Sequence, residues 1–286
     1  MLQEITEELL REVIRKRPND SYKGTFGRAV LAGGEPRYAG AILMAAEACI
    51  CAGAGLTTVI TAKENHSPLL ARRPEAMAVD WQDFATTEAA IETADVLLVG
   101  PGLGTSEKAR KLLDFFLEKR RPDQWLVIDG SAITLLAESY TLTTLSYKLH
   151  SPETVVFTPH QMEWQRLSGI LIANQNEASN RAAAAKLAAT VVIKSHHTQI
   201  YTADDLSFKN PYGSPAMATG GSGDTLAGMI TGFLAQFPRN GTTVAAAVAL
   251  HSLIADDFAQ KQYVVLPTAI SAALPRYMAR FASETS

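Results

Sequence analysis

The chain has 286 residues, 47% of them apolar and 19% charged, with a formal net charge of −3 at pH 7. This composition is that of a globular protein, and the nearly balanced charge argues against the strongly basic surfaces with which proteins bind nucleic acids or anionic membranes. We expect a cytoplasmic protein, because it has only two cysteines, Cys49 and Cys51, no signal-peptide stretch and no apolar run long enough to span a membrane.

Strands and helices are predicted to alternate along the chain. A short charged helix is predicted over residues 1–20, ending near Pro18. The predicted elements that follow are, in order, strand 28–32, helix 39–54, strands 56–61 and 77–79, helix 87–93, strand 95–99, helix 106–119, strands 125–128 and 155–157, helix 181–189, strand 191–193, a hairpin of 199–202 with 207–208, and helices 225–236, 243–260 and 268–280. This alternation predicts one α/β domain with a largely parallel sheet and helices on both faces.

Glycine-rich or polar residues follow the predicted strands at the points where those strands end. These stretches are 100–104, 129–131, 158–163 and 194–198, together with the residues that precede the helix at 224. Open α/β sheets bind ligands at the carboxyl ends of their strands. The pattern therefore predicts that these stretches line one crevice.

The most informative stretch is Gly220-Gly221-Ser222-Gly223-Asp224, which opens a predicted helix. Glycines allow positive φ and close approach to a ligand, and the N–H groups of a helix N-terminus favour a bound anion. Asp224 could then accept a proton from a hydroxyl beside the bound phosphate. The alternative is an aspartate that caps a helix after a flexible loop.

Three other strand exits leave two interpretations open. Gly100-Pro101-Gly102-Leu103-Gly104 is either a tight strand–helix turn or part of a site, and it matches neither a Walker A loop nor a dinucleotide-binding fingerprint. Thr158-Pro159-His160, followed by Glu163, is either a helix start or a ligand contact. Residues 194–198 could place a cation and backbone amides on a phosphate. The adjacent histidines within that stretch diverge in direction and have no third ligand nearby, so we expect no metal site there.

The order of these motifs is more specific than any one of them. Lys23-Gly24-x-x-Gly27, Ala39-Gly40-Ala41, Gly-Pro-Gly-Leu-Gly, Thr-Pro-His-x-x-Glu, Lys-x-x-x-Thr and Gly-Gly-Ser-Gly-Asp occur in that order. The chain thereby resembles the ADP/ATP-dependent NAD(P)H-hydrate dehydratases of the ribokinase-like superfamily. The resemblance extends from about residue 6 to residue 280 and is most specific over residues 217–224. The chain has no room for the epimerase domain fused to some members, so it looks like the stand-alone, bacterial-type dehydratase.

The resemblance implies a fold, a reaction and an assembly. The fold would be a single three-layer α/β/α domain over residues 1–286, around a central and mostly parallel sheet. The reaction would transfer a phosphoryl group from ADP or ATP to the C6 hydroxyl of hydrated NADH or NADPH, and loss of phosphate would then restore the dinucleotide. Mg²⁺ would accompany the nucleotide, and the assembly would be a homotetramer.

The resemblance also implies roles for particular residues. Asp224 would be the base that activates the C6 hydroxyl, and the turn at Gly221, Ser222 and Gly223 would stabilise the transferred phosphoryl group. The residues implied in nucleotide binding are Lys194, Ser195, His196, His197, Thr198, Gly220 and Gly223. Those implied in binding the hydrated dinucleotide are Ala41, Gly102, Gly104, His160 and Asp224.

This chain departs from the family pattern at two of the strand exits. Residues 129–133 are Asp-Gly-Ser-Ala-Ile where the family commonly has Asp-Ala-Asp-Ala-Leu, and Ser195 stands where glycine is usual. Two alternative functions therefore stay open. One is a ribokinase-like kinase that phosphorylates a vitamin-precursor hydroxyl and stops there, and the other is a catalytically silent nucleotide-binding protein.

Overall fold

The computed structural model describes residues 2–282, whose strands form one ten-stranded sheet. The strands are β1 (Gln3–Glu4), β2 (Arg28–Ala32), β3 (Leu56–Thr61), β4 (Ala76–Asp80), β5 (Val96–Val99), β6 (Trp125–Ile128), β7 (Val155–Phe157), β8 (Thr190–Ile193), β9 (Gln199–Tyr201) and β10 (Ser207–Lys209). Their order across the sheet is β1-β10-β9-β8-β7-β6-β5-β2-β3-β4. All neighbouring pairs are parallel except the two that involve β9. The predicted mostly parallel sheet is confirmed.

Helices cover both faces of this sheet. They are α1 (Glu7–Val13), α2 (Ala39–Cys51), α3 (His66–Arg72), α4 (Phe84–Thr93), α5 (Glu107–Lys119), α6 (Ser131–Ser139), α7 (Leu142–Lys148), α8 (Gln161–Ser168), α9 (Glu177–Leu187), α10 (Ser222–Gln236), α11 (Gly241–Ala259) and α12 (Pro267–Ala282). One hydrophobic core contains residues of α1–α3 and α10–α12, and a second core contains residues of α4–α9. The architecture is therefore the three-layer α/β/α arrangement that the sequence predicts.

The central strand β5 shows why its sequence is a continuous apolar run. Val96 and Leu98 belong to the core beneath α10, whereas Leu97 and Val99 belong to the core on the opposite face. Successive side chains of a strand point to opposite faces, so a strand covered on both sides needs an apolar residue at every position.

The helices α2 and α10 approach each other at small residues. A Cβ atom added at Gly228 would lie 2.1 Å from the carbonyl oxygen of Ala45, and one added at Gly232 would lie 2.7 Å from the Cβ of Ala52. The alanine-rich sequence of α2 serves the same close approach. This contact sets the position of α10 and therefore of the glycine turn at its N-terminus.

The predicted N-terminal helix over residues 1–20 is wrong in its extent. Only Glu7–Val13 is helical, and Gln3–Glu4 forms an edge strand beside β10. The helix ends because Ile14 takes an extended conformation and is buried, with 1% of its surface exposed. Burial of this apolar side chain outweighs the helical preference of the charged residues that follow.

Three helices, α3, α6 and α7, were not predicted, and the start of a fourth, α8, was one of two interpretations that the sequence left open. All are short, with seven to nine residues each. Isolated helices of this length are marginal in water, so tertiary packing stabilises them more than local sequence preference does.

One helix of the described part of the chain, α11, is long and apolar enough to cross a membrane by length and composition. However, 72% of that apolar window is buried inside the structure. Core helices of soluble proteins meet the same criteria, so this is weak evidence for a membrane span.

The contact between α2 and α10 predicts opposite effects of two glycine-to-alanine substitutions. Gly228→Ala should lower the free energy of unfolding by about 1–3 kcal/mol, because the added methyl group overlaps backbone atoms of α2. Gly40→Ala, also within a helix, is the matched control, since its added Cβ would lie 4.0 Å from the nearest atom, on Met44. We expect that variant to gain up to about 1 kcal/mol in denaturant unfolding. Equal effects of the two variants would contradict this account of the contact.

Candidate active site

The exits of neighbouring parallel strands meet at one edge of the sheet. The loop after β2 and the loop after β5 are joined by hydrogen bonds from Gly34 N to Pro101 O (2.9 Å) and from Glu35 N to Gly102 O (2.7 Å). The exits of β6 and β8 are joined by the side chains of Asp129 and Lys194. The predicted crevice is therefore a continuous edge whose loops are held together.

The ion pair between Lys194 and Asp129 is the electrostatic centre of this edge. Asp129 is 2% exposed, and its Oδ1 accepts hydrogen bonds from Lys194 Nζ (2.8 Å) and from Thr158 Oγ1 (2.6 Å). Burial disfavours the ammonium form of Lys194, but Asp129 and Glu163 outweigh burial, so the pKa of Lys194 is raised. Lys194 therefore remains positively charged, and removing either partner would leave the other charge buried and unpaired.

The glycine turn places a helix N-terminus beside this lysine. Gly221 precedes α10 with φ 95°, a conformation that favours glycine, and a Cβ atom there would also displace the flexible end of Met44, whose Cε would lie 2.2 Å away. No side chain of the described residues caps this terminus. A Cβ atom at Gly223 would lie 3.2 Å from Lys194 Nζ, which places the ammonium next to the first turn of α10. A helix terminus without a side-chain cap and a neighbouring cation together favour a phosphate.

Asp224 lies in the first turn of the same helix. Burial and the negative charge of Asp129 raise the pKa of Asp224 to about 6, although Lys194 opposes the shift. A carboxylate with this pKa is ionised at neutral pH and is a stronger base than an ordinary aspartate. Its environment is that of a functional carboxyl group.

Two cavities open on either side of this turn. The Lys194 cavity, of about 550 Å³, lies between the exit of β8 and the first turn of α10, and residues 212–218 and α11 close it. The Arg37 cavity, of about 530 Å³, lies between residues 35–41 and the glycine-rich exit of β5. Gly223 lines the first cavity, and Asp224 lines the second. Both volumes are in the range of small-molecule sites.

The structure distributes the predicted site residues between these two cavities. Those that line the Lys194 cavity are Lys194, Ser195, His196, Thr198, Ser222 and Gly223. Those that line the Arg37 cavity are Ala41, Gly102, Gly104 and Asp224. Four predicted residues line neither cavity, namely His160, His197, Gly220 and Gly221.

His160 begins a helix, which is one of the two interpretations that the sequence left open. Its Nδ1 accepts hydrogen bonds from the N–H groups of Met162 and Glu163, and its own N–H donates to Glu163 Oε2 (2.8 Å). Burial and the charge of Lys194 lower the pKa of His160, which agrees with an unprotonated Nδ1. Burial raises the pKa of Glu163, with Asp129 contributing in the same direction. This capping arrangement lies beside the ion pair, because His160 also forms a parallel bridge with Lys194.

The glycines of the β5 exit have a structural explanation as well. Gly102 and Gly104 have φ of 60° and 75°. An added Cβ would lie 2.4 Å from the carbonyl oxygen of Tyr38 at the first position and 2.2 Å from Glu35 Oε2 at the second. Both glycines thus allow the turn at residues 35–38 to lie against the β5 exit and form the Arg37 cavity.

Sequence reasoning missed several residues of the site. Arg37 and Tyr38 line one cavity, and Tyr212 and His251 line the other. Asp129 was noted only as a strand exit, and its position after a buried strand was the available signal. Arg37 and Tyr38 directly precede the Ala-Gly-Ala motif, whereas nothing local marks His251 within an apolar helix.

Comparisons with known proteins agree with this geometry. A family model described as NAD(P)H-hydrate dehydratase matches residues 29–276. A relative from Enterococcus faecalis, named ADP-dependent (S)-NAD(P)H-hydrate dehydratase, is 54% identical over 97% of this chain and 93% of its own length. A ribokinase-like superfamily protein from Enterococcus faecalis has a crystal structure that matches with a TM-score of 0.94 at 54% identity, covering 98% of this chain and 96% of that one. The ADP/ATP-dependent NAD(P)H-hydrate dehydratase from Bacillus subtilis, co-crystallised with ATP/Mg²⁺, matches with a TM-score of 0.85 at 28% identity, covering 98% and 99%.

The raised pKa of Asp224 predicts a pH-dependent gain in stability for Asp224→Asn. The pKa in the folded state, about 6, lies above the usual value of 3.8, so stability falls as pH rises from about 3.8 to about 6, and the full penalty remains above that range. The variant should therefore have a higher Tm than the wild type at pH 8, and the difference should shrink at pH 5. Asp114→Asn, at an exposed position of α5, should show no such pH dependence. An equal difference in Tm between Asp224→Asn and the wild type at both pH values would contradict the raised pKa of Asp224.

Proposed function

The chain belongs to the NAD(P)H-hydrate dehydratase family, and from this premise we propose how its residues carry out the reaction. It catalyses the nucleotide-dependent dehydration of hydrated NADH and NADPH. The observation that carries the proposal is that the consecutive residues Gly223 and Asp224 face different cavities. A phosphoryl donor in the Lys194 cavity and a hydroxyl in the Arg37 cavity would then meet at the peptide unit that joins Gly223 and Asp224.

The Lys194 cavity is the proposed nucleotide site. Lys194 and the first-turn N–H groups of α10 would hold the phosphates, with Ser195, His196 and Thr198 on the opposite wall. The amides of the turn would stabilise the charge that spreads over the phosphoryl oxygens during transfer. ADP is the proposed donor, supported by the names of relatives 44–54% identical to this chain.

The Arg37 cavity is the proposed site of the hydrated dinucleotide. Asp224 would accept the proton of the C6 hydroxyl, and the oxygen of that hydroxyl would attack the terminal phosphorus of the nucleotide. The bond from that phosphorus to the nucleotide breaks. Phosphate later leaves C6 with the electrons of the C–O bond, and loss of a proton from C5 to solvent forms the C5=C6 double bond of the restored dinucleotide. Ala41, Gly102 and Gly104 form the wall against which the ring would lie. Phosphate leaves far more readily than hydroxide, so nucleotide cleavage drives the dehydration.

The remaining predicted residues have supporting places in the proposal. Gly221 and Gly220 shape the turn, since a side chain at Gly221 would overlap Met44. His160, which forms a bridge with Lys194, lies beside the ion pair, where its uncharged ring would border the dinucleotide. His197 contacts His196, with ring centroids 4.2 Å apart, and we propose that it acts through that neighbour at the nucleotide.

Mg²⁺ is proposed to accompany the nucleotide. The donor set fits it, because the carboxylates of Asp129, Glu163 and Asp224 surround Lys194 and Mg²⁺ takes oxygen ligands. Within residues 2–282, however, no group of three or more His, Cys, Asp or Glu side chains is placed to hold a metal unaided. Phosphate oxygens and waters would therefore complete its shell, with Glu163 as the protein ligand and Asp224 left free to act as the base. Bound there, Mg²⁺ would offset the negative charge of the phosphates.

We further propose that residues 1–286 act as one catalytic domain, in a cytoplasmic homotetramer. The continuous ten-stranded sheet supports the single domain. Both cysteines are free, as expected in a reducing compartment. The tetramer rests on the family resemblance.

Turnover of hydrated NADH tests the proposed function. With ADP and Mg²⁺ the near-ultraviolet absorbance of restored NADH should rise, and it should not rise without nucleotide. A parallel reaction with ATP identifies the preferred donor. Asp224→Asn should lose about 10²–10⁴-fold in rate, the usual contribution of a general base, while still binding ADP. A phosphorylated product without restored NADH would favour the kinase alternative, and ADP binding without turnover would favour a silent binding protein.

The electrostatics of the ion pair predict a shift in the pH profile. Turnover should fall as pH falls through about 6, because protonated Asp224 cannot accept the hydroxyl proton. Asp129→Asn should move this acid limb to lower pH, since the charge of Asp129 raises the pKa of Asp224. Thr158→Val is the control, because it removes the other hydrogen bond to Asp129 but keeps the carboxylate charge. An acid limb that does not move in Asp129→Asn would contradict the coupling.

A further inference from the structure

One face of α11 forms a wall of the Lys194 cavity. Val248, His251 and Ser252 line the cavity, and their spacing of three and four residues places them on one side of the helix. Leu226 of α10 lines the same cavity. This wall is distinct from the phosphate-binding end, which Lys194 and Gly223 form.

His251 is a polar exception in this wall. The side chain is 3% exposed, and its Nε2 is buried without a hydrogen-bond partner among residues 2–282. Its neighbour Ser252 is satisfied, because Asn210 Nδ2 donates to Ser252 Oγ at 2.9 Å. An unsatisfied buried nitrogen carries a free-energy penalty, and such groups in native proteins call for a missing water or ligand.

Two further unpartnered polar atoms flank the glycine turn along the chain. Thr219 Oγ1 precedes the glycine turn and Thr225 Oγ1 follows it, and both are buried without partners in the described structure. Unsatisfied groups thus occur on both sides of the turn at which the nucleotide is proposed to bind. Their grouping indicates that this region is completed by something other than the protein chain.

The chemistry of the wall identifies which part of a nucleotide it suits. Leu226 and Val248 are buried apolar residues, and the aromatic side chain of Tyr212 lines the same cavity. Burial and the charge of Lys194 lower the pKa of His251 to about 4. The imidazole is therefore neutral at pH 7, with one donor and one acceptor nitrogen. A neutral polar group among apolar residues suits a base and ribose better than a phosphate.

We propose that His251 is a nucleotide-binding residue that forms a hydrogen bond with the nucleoside part of the phosphoryl donor. This inference rests on the proposed function, since it takes the Lys194 cavity as the nucleotide site. No group among residues 2–282 pairs with this imidazole nitrogen, and nucleotide binding supplies a partner. His251 thereby contributes to recognition of the nucleoside, whereas Lys194 and α10 recognise the phosphates.

Binding of ADP to His251 variants tests the proposal. His251→Leu, which keeps the volume but removes the nitrogens, should weaken ADP binding about tenfold in calorimetry, equivalent to about 1.4 kcal/mol. His251→Gln should recover most of that affinity, because the amide can still donate and accept a hydrogen bond. The Tm of the free His251→Leu protein should equal or exceed that of the wild type, while its increase with ADP should be smaller. A purely structural role would instead lower the Tm of the free protein.

His66→Leu is the matched control. His66 lies on α3 outside both cavities, and its Nε2 is also buried without a partner. This variant should bind ADP like the wild type. Unchanged ADP affinity in His251→Leu, or an equal loss in His251→Leu and His251→Gln, would overturn the proposal.

The same experiment separates this inference from the proposed function. Wild-type turnover of hydrated NADH together with unaltered ADP binding in the His251 variants would refute only the role of His251. If the wild type binds ADP but does not restore NADH, and His251→Leu loses ADP binding, only the proposed reaction would be refuted.

Discussion

The close contact between α2 and α10 is the constraint on which the catalytic edge depends. Backbone atoms of α2 occupy the space that side chains at Gly228 and Gly232 would need, so the two helices can approach this closely only at small residues. The contact continues to the turn, where a side chain at Gly221 would displace the end of Met44. Because α10 is held in this position, its free N-terminus lies beside the exit of β8 and meets Lys194.

The charges at this edge perform two functions with one ion pair. Asp129 holds Lys194 in place, and its negative charge also raises the pKa of Asp224. The first effect orients a cation towards the proposed phosphates, and the second prepares a base at neutral pH. Both effects depend on burial, since solvent would screen the interaction between these groups. The raised pKa of Asp224 lowers stability at neutral pH, as is common where function requires a buried charge, whereas the raised pKa of Lys194 favours the folded state.

The two cavities assign different parts of the fold to the two reactants. Loops after β2 and β5 form the Arg37 cavity, whereas the exit of β8, residues 212–218 and α11 form the Lys194 cavity. Only the first turn of α10 contributes to both. In the proposed mechanism this division would let the nucleotide site vary along α11 without altering the base, because the proposed nucleoside contact lies on a separate helix.

The sequence by itself determined the alternation of strands and helices, the mostly parallel sheet, and the glycine turn with Asp224. These features are local: a strand buried on both faces must be apolar throughout, and a turn with positive φ requires glycine. Only the tertiary structure decided that Asp129 pairs with Lys194, which lies 65 residues away, that His160 caps a helix, and that His251 faces a cavity. The tertiary structure also decided where α1 ends and where the short helices form. Contacts between distant residues, and the desolvation that shifts a pKa, arise from packing, which no local pattern encodes.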